Sequence, residues 1–126
     1  MSIALLFPGQ GSQAIGMGAA LSEAFPEAKQ TFEEVDDALN QNLRKIILEG
    51  PEELLTMTEN AQPALMAVSI AIMRVLEKEG GFEISRQASF VAGHSLGEYS
   101  ALAAAGSFSL SDTALLLRQR GKAMQE

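Results

Sequence analysis

The sequence contains no cysteine and no tryptophan, and its one histidine is His94. The lack of cysteine excludes disulfides, thiolate nucleophiles and cysteine-ligated zinc together. A single histidine leaves no multi-histidine metal centre, so no metal is expected. Aromatic residues are only 6% of the chain, so the core must rest on Leu, Ile, Val, Met and Ala. Basic residues are also scarce: nine Lys and Arg stand against sixteen Asp and Glu, a formal charge of −7. No basic stripe is left for nucleic acid to bind. Long apolar runs are missing as well. The stretch from Ala64 to Met73 stops at Arg74, well short of the ~20 residues a bilayer span requires. The apolar start, Ile3 to Phe7, lacks a basic flank and ends at Pro8-Gly9, unlike a secretory signal. A protein of the cytoplasm with no membrane partner is expected.

What is present fits one globular domain. The chain has 126 residues, 47% of them hydrophobic and 20% charged, a balance that argues against disorder. The negative charge is concentrated: Glu27 to Glu59 hold nine carboxylates against Lys29, Arg44 and Lys45. Such a run reads as solvated helix faces.

Ile3 to Phe7, stopped by Pro-Gly, reads as a strand buried on both faces. Pro26 suits the first turn of a helix on which Ala28, Phe32, Val35 and Leu39 form one apolar stripe. Leu43 to Leu48 and Glu52 to Met57 read as short helices around Gly50-Pro51. The next helix has Thr58 or Asn60 as its cap and Pro63 in its first turn. It is apolar nearly all round and is therefore central. Ala88 to Ala92 reads as a second strand, followed by a small-residue helix from Glu98 to Ala105. Ser109 or Ser111 caps a final helix. Strands alternating with helices place the chain in the α/β class with a mainly parallel sheet. Two strands are few for this many helices, and the last helix meets no stop signal, so the chain is expected to be part of a longer protein.

Gly93-His94-Ser95-Leu96-Gly97 between a strand and a helix has the form of a nucleophile elbow. Small residues must flank the serine because backbone and helix crowd together at so sharp a turn. The turn also sets Ser95 at a helix N-terminus, where free N–H groups favour developing negative charge. The alternative is a glycine-rich turn with Ser95 as a plain helix cap. His94 adjoins Ser95, but neighbouring residues on a sharp turn project in different directions, so a packing or hydrogen-bonding role suits it better than that of base. The general base is expected outside this chain.

The loop Pro8-Gly9-Gln10-Gly11 leaves the first strand at the edge where the elbow should open. An oxyanion hole of this kind uses the N–H after the nucleophile, here that of Leu96, and one from a second loop, for which Gln10 is the candidate. Gly9-x-Gly11-x-x-Ala14 also matches a dinucleotide fingerprint, but that motif needs a second strand about thirty residues on. Residues 27–57 read as helical instead. Arg120 falls between Leu116 and Met124 on the apolar face of the last helix, with Arg118, Gln119, Lys122 and Gln125 opposite. A guanidinium among apolar neighbours calls for an anion, either a substrate carboxylate or a structural Asp or Glu. Gln62, on the central helix, either faces the site or satisfies a backbone group, and the second reading is preferred. Glu98 reads as a first-turn acid favoured by the helix dipole.

Phe7-Pro-Gly-Gln-Gly-Ser-Gln13, Gln62-Pro63-Ala64, Gly93-His-Ser-Leu-Gly-Glu-Tyr-Ser-Ala101 and Arg120-Gly-Lys-Ala-Met124 together resemble the malonyl-CoA:acyl carrier protein transacylase family. They stand in the family's order and spacing along essentially the whole chain. The resemblance implies an α/β-hydrolase-like acyltransferase subdomain, incomplete here. Residues 1–126 would be its N-terminal part, with a ferredoxin-like insertion and the C-terminal remainder absent. It implies that Ser95 takes the malonyl group from malonyl-CoA and passes it to the phosphopantetheine thiol of acyl carrier protein in fatty acid synthesis. Gln10 and Leu96 would form the oxyanion hole and Arg120 would hold the free carboxylate. His94 and Gln62 are, from their places in the sequence, the candidates for supporting positions. No bound cofactor is implied. The catalytic histidine of the family has no counterpart here, so this chain alone is expected to be inactive, its partner a missing C-terminal piece. Leu96 after the serine resembles malonyl-selective members, where methylmalonyl-selective relatives often have Gln. A serine esterase or thioesterase is the alternative function, though it leaves Arg120 unexplained. An inert interaction domain is a third.

Overall fold

In the computed structural model, the structure describes residues 3–84, 88 and 90–125. Two strands, β1 (Ala4–Phe7) and β2 (Phe90–Gly93), pair in parallel with Ala4 opposite Phe90 and Phe7 opposite Gly93. Between them run α1 (Ala19–Ala24), α2 (Pro26–Leu39), α3 (Leu43–Glu49), α4 (Glu52–Thr56) and α5 (Thr58–Glu79). After β2 come α6 (Gly97–Ala104) and α7 (Leu110–Gln125). Because the strands are parallel and in register, the loops that follow them leave from the same end of the sheet. That shared exit brings Pro8–Gln13 and His94–Leu96 side by side.

Residues 27–57 hold three helices and no strand, so the dinucleotide fingerprint lacks the unit it needs. α2 begins with Pro26, whose missing N–H costs nothing at that position. Its stripe Ala28, Thr31, Phe32 and Val35 is buried against α5. Asn40, in the left-handed conformation with φ 50°, ends it. Burial raises the Asp36 carboxyl above its ordinary range, and the Leu43 and Arg44 N–H groups act against that rise.

α5 is the central element. Every residue from Asn60 to Ala67 is buried, and the main core gathers Phe32, Val35, Leu43, Ile47, Leu65, Met66, Ile70 and Leu117 around it. The helix begins at Thr58 without a side-chain cap, contrary to expectation. Asn60 instead faces inward, donating to the Leu54 carbonyl at 2.8 Å. Pro63 therefore lies beyond the first turn, where a proline has no N–H to give to the helix ladder. α7 approaches at that place: a Cβ on Gly121 would stand 2.5 Å from Glu59 Cα and 2.7 Å from the Thr58 carbonyl oxygen.

Ser109 caps α7, its hydroxyl accepting from the Asp112 N–H at 3.1 Å. The short α1 was not foreseen in the sequence. β2 starts later than expected, and Ser89, included in that expectation, lies outside the described residues. β1 departs further: Phe7 is buried, but Leu6 is 75% exposed. Leu6, Ile72 and Leu76 border an apolar groove of about 380 Å³, so this strand is not covered on both faces. An apolar run reports the tendency to be buried, and the neighbour that would bury it is not encoded in the run itself. Among the described residues no helix is long and apolar enough to cross a membrane.

Candidate active site

The turn after β2 is built from crowding. Gly93 sits against the Gly97 backbone so closely that any Cβ would overlap it, and a Cβ on Gly97 would run into the Phe7 carbonyl. Gly9 has the same constraint, since its Cβ would lie 2.6 Å from the His94 carbonyl oxygen. Three glycines thus let the two loops and the start of α6 pack backbone to backbone. Ser95, between them, has φ 58°. A non-glycine residue in this region is strained, and such strain persists where the surroundings over-determine it. The Gly97 and Glu98 N–H groups close the turn on the His94 and Ser95 carbonyls, each at 3.0 Å.

The backbone N–H groups of Gln10 and Leu96 have no hydrogen-bond partner among the described residues. Leu96 itself is in the core at 1% exposure, which ties its position to that of the core. The Gln10 side chain turns aside, donating to Thr58 Oγ1 at 3.2 Å. The Gly11 N–H donates to Gln13 Oε1 at 2.8 Å and shapes the same loop. An oxyanion hole draws on main-chain donors of this kind where two of them converge on one point.

The cation beside the serine comes from α7. Arg120 Nη2 donates to Ser95 Oγ at 3.0 Å, and Nη1 donates to Gln62 Oε1 at 2.7 Å. The guanidinium lies over the Tyr99 ring, 5.6 Å from its centre. Gln62 is fully buried, and its Nε2 donates to Met124 Sδ at 3.2 Å. Among the described residues its side chain bonds no backbone group, contrary to the preferred sequence reading. It faces the site and holds the arginine. His94 is exposed, and its imidazole lies along Gly9, making no bond to Ser95 Oγ among the described residues. Glu98 is exposed in the first turn of α6. Among the described residues no group of three His, Asp or Glu is placed to hold a metal ion.

A family model described as the acyl transferase domain matches residues 4–126. The chain belongs to the acyl transferase domain family. A malonyl CoA-acyl carrier protein transacylase of Bacillus subtilis strain 168 is 52% identical over 124 residues, which are 98% of this chain and 38% of that protein. The crystal structure of an acyl-carrier-protein-S-malonyltransferase from Bartonella henselae superposes with a TM-score of 0.97 at 63% identity, over 99% of this chain and 40% of that one. A malonyl-transacylase in complex with a type II PKS acyl-carrier protein gives 0.92 at 48% identity, over 99% and 39%. The chain thus spans about two fifths of the length of these relatives. Its two-stranded parallel sheet with flanking helices is an incomplete α/β acyltransferase fold.

Within this acyl transferase domain, three participants escaped the sequence reading. Tyr99 and Thr58 lie in helices where nothing in their spacing marks a site. Gly121 did carry a signal, since a glycine inside a helix costs about 1 kcal/mol and usually has a packing reason. Arg118 was misplaced. The buried seam of α7 runs through Leu110, Thr113, Ala114, Leu117 and Gly121, and Arg118 and Arg120 flank it on opposite sides. Arg118 is only 15% exposed and pairs with Glu59 at 3.9 Å. Burial lowers its affinity for the proton and Glu59 acts the other way. Leu115, Leu116 and Met124 are 40–56% exposed, so the apolar residues of α7 alone do not mark the seam.

Proposed function

We propose that this chain supplies the nucleophile and the carboxylate anchor of an enzyme that transfers malonyl groups from malonyl-CoA to the thiol of acyl carrier protein in fatty acid synthesis. The observation that carries the proposal is the Arg120–Ser95 contact of 3.0 Å. In a malonyl thioester the free carboxylate is two carbon–carbon bonds from the carbonyl that reacts. A cation meant to bind it must therefore stand next to the nucleophile. A simple esterase has no use for a charge there.

In this mechanism Ser95 Oγ attacks the thioester carbonyl carbon while a base takes its proton. The Gln10 and Leu96 N–H groups stabilise the oxygen that becomes negative. The carbon–sulfur bond breaks, coenzyme A leaves as the thiol, and a malonyl ester remains on Ser95. The carrier-protein thiol then attacks that ester and restores the serine hydroxyl. His94 is poorly placed for the proton transfers, so the base comes from outside this chain. Arg120 pairs the carboxylate with its fork, and Gln62 holds the fork in place. The names borne by the relatives, one of them seated on an acyl-carrier protein, support the choice of donor and acceptor.

The test is kcat/KM for malonyl-CoA and acetyl-CoA in the complete protein. Arg120→Ala is expected to lower malonyl transfer about 100-fold or more, the scale of a broken buried charge pair, and acetyl transfer far less. Arg120→Lys recovers little, because an ammonium lacks the fork. Equal losses on both substrates with an intact fold would remove Arg120 as the anchor.

A further inference from the structure

Two hydrogen bonds leave the Arg120 guanidinium one freedom. Its contacts to Gln62 Oε1 and Ser95 Oγ are made by Nη1 and Nη2. Both are terminal nitrogens, so the planar group can still tilt about the line joining them. The feature that opposes this tilt is the Tyr99 ring, 5.6 Å from Cζ. Tyr99 is four residues beyond Ser95, on the first turn of α6, and its N–H donates to the Leu96 carbonyl at 2.9 Å. The ring is packed against the main core and thus has a fixed position of its own. Its hydroxyl has no partner among the described residues. The aromatic face is therefore the part that meets the arginine.

We infer that Tyr99 is a positioning residue for substrate selection: its ring face sets the plane of the Arg120 fork so that two parallel N–H groups meet a carboxylate end-on. This rests on the functional reading above and adds to it a residue that acts through Arg120. Bidentate pairing is planar, and a tilted fork gives a carboxylate one bond where two were available. A cation over an aromatic face is held by the negative face of the ring, so the hold depends on ring electronics as well as on shape. The effect falls on carboxylate-bearing acyl groups alone, since a neutral acyl chain has no partner for the fork.

The experiment replaces Tyr99 in the complete enzyme by Phe, by Leu, and by 4-fluoro- and 3,5-difluorophenylalanine, and measures kcat/KM for malonyl-CoA and acetyl-CoA. Tyr99→Phe is expected to stay within about twofold of the wild type, because the hydroxyl bonds nothing. Tyr99→Leu should lower malonyl transfer about 5- to 30-fold and leave acetyl transfer nearly unchanged. Fluorination changes size little but weakens the negative face, so malonyl transfer should fall stepwise along that series even if Tyr99→Leu does not fold. A flat fluorine series, or equal losses on both substrates, would overturn the assignment while leaving the malonyl reading intact. Absence of malonyl transfer in the wild type would instead bring down the functional reading, and the role of Tyr99 with it.

Discussion

Ser95 is held by backbone. Gly9, Gly93 and Gly97 pack against the main chain of neighbouring segments, and the serine in this turn takes φ 58°. Arg120, a single hydrogen bond away, is held by side chains: the Gln62 carbonyl in the plane, the Tyr99 ring on the face, and Met124 behind Gln62. The difference matches the two functions proposed for them. A nucleophile must be presented in one geometry whatever the acyl group, and a backbone lock gives that rigidity. A selector needs only to match one substrate, so its support can be tuned residue by residue without disturbing the elbow.

Substitution on the two sides should therefore give different kinds of loss. Gly93→Ala is expected to have the largest effect. Its Cβ would enter the Gly97 backbone, which cannot yield as a side-chain tip would, and overpacking of this kind costs about 3 kcal/mol or more. A collapsed thermal melt, with all acyl transfer lost, is the expected outcome. A stable and active Gly93→Ala variant would break the backbone half of the comparison. Gln62→Leu keeps the volume but removes the acceptor for Arg120. The bond of a charged donor is worth about 1.5–3 kcal/mol. Malonyl kcat/KM should accordingly fall about 10- to 100-fold, with acetyl transfer and the melt changed much less. Losses spread evenly over both substrates would mean that Gln62 supports the fold and not the selector.

The same division explains what could be read from the sequence. The backbone side was legible, because glycine and proline at fixed offsets are the signature of tight turns. Gly93-x-Ser95-x-Gly97 and Pro8-Gly9-Gln10-Gly11 each marked a loop that the parallel strand pair brings together. The helical character of residues 27–57 and the central place of α5 were legible too, from apolar spacing. The side-chain side was only half legible. Arg120 stood out as a charge among apolar residues, but its contact with Gln62 spans 58 positions. Tyr99 looked like any helical aromatic. Arg118 reads as lying opposite the apolar face because the seam of α7 includes Gly121, which no hydrophobic pattern selects. Long-range pairing is decided by how helices cross, and no periodicity within one helix contains that information.

Ser95 alone is expected to carry the acyl group. The chain has no cysteine to compete with it. Its Oγ accepts a hydrogen bond from the proposed carboxylate anchor at 3.0 Å. The most direct test is to incubate the complete protein with malonyl-CoA, quench at low pH, and map the added mass by peptide. The expected result is one malonyl group on the peptide containing Ser95, and none on Ser95→Ala. A malonyl group on any other residue, or undiminished transfer by Ser95→Ala, would contradict the account.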